Sequence, residues 1–178
     1  MRTFLLAGLS LALAAPAAVP LTASPAVPAS QCRAGEKTVY SCRFGKSLGS
    51  VCAGRGSLHY RFGPPGRPQI EIASDANWGN VHRGGVVGGG GGSQEYLRFT
   101  RGDHHYLVFW GVGGQYTEIP GKQWSGIHVS RGGNDLATLR CKSNAWPTEN
   151  WEQLLRASLP GHLREVPDDT DPQFEAWY

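Results

Sequence analysis

The chain has 178 residues, with 17 Lys and Arg against 14 Asp and Glu, 25 Gly, 12 Pro, four Cys and six Trp, for a net charge of +3. From Ser30 to Leu159 there are 15 basic and nine acidic side chains, whereas Pro160–Tyr178 has one Arg and five acids. A mildly basic body with an acidic tail does not fit a nucleic-acid binder, whose affinity needs a dense cationic patch.

The first element is an export signal. Arg2 precedes an apolar run from Phe4 to Ala15, too short to span a bilayer, and the small-residue stretch "PAAVPLTASPAVPAS" follows it. Residues 1–29 therefore read as a signal peptide with its cleavage region, cut after Ala17, Ala26 or Ala29. The mature protein is expected in the periplasm or secreted, without a transmembrane helix. In such a compartment the even set Cys32, Cys42, Cys52 and Cys141 predicts two disulfides, with three pairings open.

Residues 30–160 read as one β domain. "KTVYSCRF", "LGSVCA", "SLHYRFG" and "RPQIEIA" are successive strands separated by turns at "GKS", "GRG" and "GPPGRP". In the third, Leu58, Tyr60 and Phe62 share one face while His59 and Arg61 share the other. "EYLRFTRGDHHYLVFWGV" is a hairpin turning at Arg101-Gly102-Asp103, and "SGIHVSRGGNDLATLRC" is a second turning at "GGND". About eight strands result, which must close into a small antiparallel barrel or fold over as a sandwich to bury one face. A bridge from Cys141 to an early strand would staple the ends of the sheet.

One short helix is expected within "TENWEQLLRASLPG", with Thr148 as its N-cap and Pro160-Gly161 as its stop. Residues 161–178 form an acidic, irregular tail, in which Phe174, Trp177 and Tyr178 are available to anchor the end.

The run from Gly84 to Gly92 holds seven glycines in nine residues, but a strand-like "SQEYLRF" follows it and no Lys lies near, so it is not a phosphate cradle. It reads as an exposed, flexible loop. Arg101-Gly102-Asp103 is turn chemistry rather than an adhesion motif. His104 and His105 are adjacent, so they point to opposite sides of a strand, and no metal or cofactor is expected. Ser125 and His128 share a strand without an assigned acid, and Glu71, Glu95 and Glu118 are scattered carboxylates, so the chain reads more as a non-enzyme than an enzyme. Trp110 alternates with core residues. Trp78 and Trp124 fall in glycine-rich loops, and with Arg83 and Ser93 they are the candidate binding residues.

The series "GEKTVYSC", "GSVCA", "LHYRFG", "GGGGSQEYLRF", "DHHYLVFWGVGG" and "ATLRC" resembles a family of small exported proteobacterial proteins, which implies an ordered envelope domain and supplies no mechanism. Tyr40-Ser41-Cys42 is also similar to the early "Y-x-C" of the periplasmic inhibitors of c-type lysozyme, small disulfide-bonded antiparallel barrels. Those carry a Ser-Gly-x-x-Tyr loop whose Ser enters the lysozyme cleft, whereas here Gly92 and Ser93 precede Tyr96 in the reverse order. The expected function is a non-catalytic binding or inhibitor-like module whose partner is an envelope protein or polysaccharide. The alternatives are a small envelope hydrolase and a purely structural protein.

Overall fold

Short alternating segments joined by tight turns build two antiparallel meanders. The computed structural model describes residues 30–143 and 145–169; the expected signal peptide and Phe174, Trp177 and Tyr178 lie outside the described residues. β1 (Lys37–Phe44), β2 (Ser47–Ala53), β3 (Leu58–Gly63) and β4 (Ile70–Ala73) form one sheet in chain order. β5 (Val81–Val87), β6 (Ser93–Arg101), β7 (His104–Val112), β8 (Gln123–Arg131) and β9 (Asn134–Arg140) form the other, again in chain order. Of the two expected architectures the protein takes the sandwich.

The inner faces of both sheets share one core. Val51, Leu58, Tyr60 and Ile72 of the first sheet pack with Leu97, Phe99, Val108, Trp110 and Ile127 of the second. Tyr60 lies between sheets, 5.5 Å from the ring centroids of both Phe99 and Tyr106. A bulge between Thr38 and Tyr40 interrupts the alternation of β1, so consecutive Val39 and Tyr40 are both buried.

About eight strands are expected from the sequence, and the described residues form nine, β5 being the addition. "VHRGGVV" carries two glycines, a His and an Arg, so its own pattern is not strand-like. It forms because it pairs with β6 along its whole length, from Val81 opposite Phe99 to Val87 opposite Ser93.

The two disulfides are Cys32–Cys52 and Cys42–Cys141. The second runs from edge strand β1 to the residue after edge strand β9, and so joins the two sheets. The first fixes the N-terminal segment over the outer face of the first sheet, where Arg61 is fully buried. Its guanidinium donates to Glu36 at 2.5 and 2.8 Å and to Glu71 at 2.9 Å. Two disulfides with no free cysteine place the fold in an oxidising, extracytoplasmic compartment. Among the described residues no helix is long and apolar enough to cross a membrane.

The helix α1 spans Trp151–Ser158, and its N-cap is Asn150 rather than Thr148. Thr148 instead donates its N–H to Val39 O, which seats the chain on the β1 edge, and its carbonyl accepts the Trp151 N–H. α1 packs on β1 and β2, with Leu155 buried and Trp151 edge-on to Trp110 at 4.9 Å. In residues 161–169, the described part of the tail, turns and bends lead to one bridge with β5. Val166 is buried in the core, and the next residues run beside β5, Arg83 donating to Pro167 O at 2.9 Å and accepting from Asp169 N–H at 2.7 Å.

Candidate functional site

Gly84 and Gly85 of the glycine run lie within β5, and residues 88–92 form the β5–β6 turn. Gly88 N–H donates to Gly92 O at 2.8 Å, Gly91 N–H to Gly88 O at 3.0 Å, and Tyr116 N–H of the β7–β8 loop to Gly90 O at 3.2 Å. The two loops touch backbone to backbone: a Cβ on Gly114 would lie 2.0 Å from Gly90 O and 2.1 Å from Gly92 N. The expected free loop is thus a hydrogen-bonded turn seated on a second loop. Its glycines permit that close approach.

Between these loops and the outer face of the sheet lies a cavity of about 260 Å³. Val86, Val112, Ile119 and Trp124 make its lining largely apolar, Ser93 and Gln94 of β6 border it, and among the described residues Glu118 is its only ionisable member. The Trp124 indole is held in place, because its Nε1–H donates to Gln94 Oε1 at 2.7 Å and its ring lies over Gly111, where a Cβ would come within 2.5 Å. Around it Val86, Val87 and Tyr116 are 43 %, 78 % and 84 % exposed. Exposed apolar side chains beside an apolar cavity are a common mark of an interaction site.

A second cavity of about 260 Å³ lies on the other side of β5 and carries more charge, with Arg83, Ser93, Glu95 and Asp168 around Gly85 and Val87. Arg83 lies over the Trp151 ring at 5.2 Å, with Glu152 at 3.4 Å and Glu95 at 3.9 Å. Burial raises the Glu95 pKa; Arg83 opposes the rise and Glu152 adds to it. Glu95 Oε2 is buried and has no hydrogen-bond partner among the described residues.

Of the candidate binding residues, Ser93 and Trp124 meet at the first cavity, and Ser93 and Arg83 at the second. Trp78 stands apart and is corrected to a core residue, 0 % exposed. The turn joining β4 to β5 is closed by Asp75 Oδ1, which accepts the N–H groups of Asn77 and Gly79, and it holds Trp78 at φ 54° with the indole between the sheets. Neighbouring Asn and Gly signal a turn, but not the side to which its Trp points. Val86, Tyr116 and Ile119, which the sequence reading left out, complete the first cavity and its surround. The neutral "GGVV" ahead of the glycine turn was their nearest signal.

The catalytic candidates are dispersed. Ser125 accepts a hydrogen bond from the buried Tyr40 hydroxyl, whereas His128, three residues on, faces outward to Thr138 at 2.9 Å and Asp135 at 3.0 Å. His59 is in the other sheet, beside Ser57 and Glu36. His104 contacts Asp103 and His105 contacts Thr100, on opposite sides of β7. Glu71 is bound to Arg61, Glu118 lines the first cavity and Glu95 the second. Among the described residues only Cys32, Glu36 and Cys52 have metal-like spacing, and both sulfurs are spent in a disulfide. Arg101-Gly102-Asp103 is the β6–β7 turn, with Gly102 at φ 62° and Asp103 bonded to Arg131 at 2.7 Å.

Compared with protein-family models, with curated proteins and with solved structures, the chain finds no match in any of the three.

Proposed function

We propose that the protein is a non-catalytic, inhibitor-like binding module of the bacterial envelope, which offers the glycine-turn end of its five-stranded sheet to a partner. The observation that carries this reading is the convergence of Ser93 and Trp124, distant in sequence, on one apolar cavity beside exposed Val86, Val87 and Tyr116. Two disulfides and a continuous core make the sheet a rigid support, so little ordering entropy opposes association. The similarity of Tyr40-Ser41-Cys42 to the c-type lysozyme inhibitors supports the same class, with Ser93, which borders both cavities, as the serine to test.

A turbidity assay of c-type lysozyme on cell walls, with purified residues 30–178 added, tests the inhibitor form. Saturable loss of lysis, relieved by Ser93→Ala and by Val86→Asp, is expected. Undiminished lysis at high micromolar protein would remove lysozyme as the partner.

A further inference from the structure

β5 is an edge strand whose outward hydrogen-bonding groups are only partly used. Arg83 turns its N–H and C=O away from β6, to Pro167 and Asp169. Alternate residues of an edge strand turn the same way, so Gly85 and Val87 direct theirs outward too. Neither has a backbone partner on that side among the described residues. From Gly85 to Val87 this edge is exposed and uncharged. The opposite edge, β9, instead carries Asp135 and Arg140, the kind of charges that keep edges from pairing.

We propose that the β5 edge receives an extended strand from a partner protein, whose apolar and basic side chains alternate. An added strand sends successive side chains to opposite faces of the sheet, and here each face has a cavity. A side chain beside Val86 enters the apolar cavity with Trp124. One beside Gly85 crosses toward Glu95, because Gly85 has no Cβ in the way; a Cβ there would lie 3.3 Å from Glu95 Cγ. In that second cavity the carboxyls of Glu95 and Asp168 outnumber the Arg83 guanidinium, and the buried Glu95 Oε2 accepts no hydrogen bond among the described residues. A Lys or Arg side chain supplies both the charge and the donor. The proposal rests on the binding reading above and adds the chemistry of the partner.

The test uses residues 30–178 with disulfides intact, and fluorescence anisotropy of a labelled peptide alternating lysine and valine. Saturable binding is expected, weakened about tenfold by Val87→Pro, which deletes one outward N–H from an edge position that tolerates proline. Replacing the peptide's lysines by glutamate, or methylating its alternate amide nitrogens, is expected to weaken binding to the wild-type protein at least as much, a comparison independent of how any variant folds. Glu95→Gln is expected to weaken the lysine peptide and to spare a peptide of valine and threonine. Equal binding by Val87→Pro and by the methylated peptide overturns the proposal, as does no saturation below about 1 mM. Dimers in sedimentation that Val87→Pro dissolves would assign the edge to a second copy, and binding only by a chain ended at Asp169 would assign it to the protein's own C-terminus; either result overturns it. Lysozyme inhibition relieved by Ser93→Ala, with no peptide binding, would sink the strand partner alone and leave the binding module standing.

Discussion

Tyr96 lies across Gly84, the residue directly opposite it on β5, so closely that a Cβ on Gly84 would sit 2.3 Å from Tyr96 Cζ. Trp124 covers Gly111 and Phe109 covers Gly126 in the same manner, each pair again directly opposite across a strand boundary. The outer face of the five-stranded sheet is thus surfaced by rings lying on glycines, an arrangement that restores the packing a glycine lacks in a strand. It also fixes Trp124 at the mouth of the glycine-turn end.

Gly126→Ala tests this packing where it has least room to adjust. The new methyl would meet Leu139 O at 2.2 Å and Phe109 Cζ at 2.6 Å, one of them backbone. Overpacking of this kind costs about 1–3 kcal/mol. Urea unfolding followed by circular dichroism is expected to show that loss, and an unchanged midpoint would contradict the close approach.

The outer face of the first sheet predicts an acid-sensitive stability. Hydrogen bonding from Arg61 is the largest influence on Glu36 and holds its pKa at about 2, against an ordinary 4.5. A carboxylate depressed on folding stabilises above its unfolded value, and that stability is lost as pH falls from 4.5 toward 2. Burial first, then Arg61, lowers the His59 pKa, so protonation of His59 favours the unfolded chain once pH drops below the ordinary histidine value. Stability is expected to decline below about pH 6.5, the ordinary histidine value, and again below pH 4.5. Glu36→Gln should cost about 2–3 kcal/mol at neutral pH, with the deficit narrowing toward pH 2. Urea titrations at pH 7, 5 and 3 measure it, and a pH-independent deficit would rule out this linkage.

The two disulfides should differ in worth. Cys42–Cys141 closes a sequence separation of 99 and joins the sheets, whereas Cys32–Cys52 closes one of 20. Loop-closure entropy gives about 4.7 kcal/mol for the longer loop and about 3 kcal/mol for one near the shorter length. Paired Cys→Ala variants, compared by thermal unfolding, are expected to rank in that order. The reverse order would show that the Cys32–Cys52 bridge acts chiefly by holding Glu36 over Arg61.

Much of the fold was legible because turn chemistry and alternation are local. Gly102 marks a hairpin, and Leu58, Tyr60 and Phe62 share the buried face as their spacing requires. β5 was not legible, since its strand form depends on β6. Arg61 was assigned to the outer face, but its burial follows from a cover, Gln31 to Glu36, that is held in place by a distant disulfide partner. The candidate site divided for the same reason. Ser93 and Trp124 meet only through the register of β6, β7 and β8, and Trp78 is turned inward by a crossing between sheets that no local pattern records.

Site-specific photocrosslinking in the cells that make the protein tests most directly whether the glycine-turn end is the binding end. A benzophenone side chain would replace Tyr116, 84 % exposed beside the apolar cavity, or Arg43, exposed on β1 of the other sheet. The predicted result is a discrete adduct from position 116, abolished by Val86→Asp, with none from position 43. No adduct at 116, or equal adducts at both positions, would contradict it.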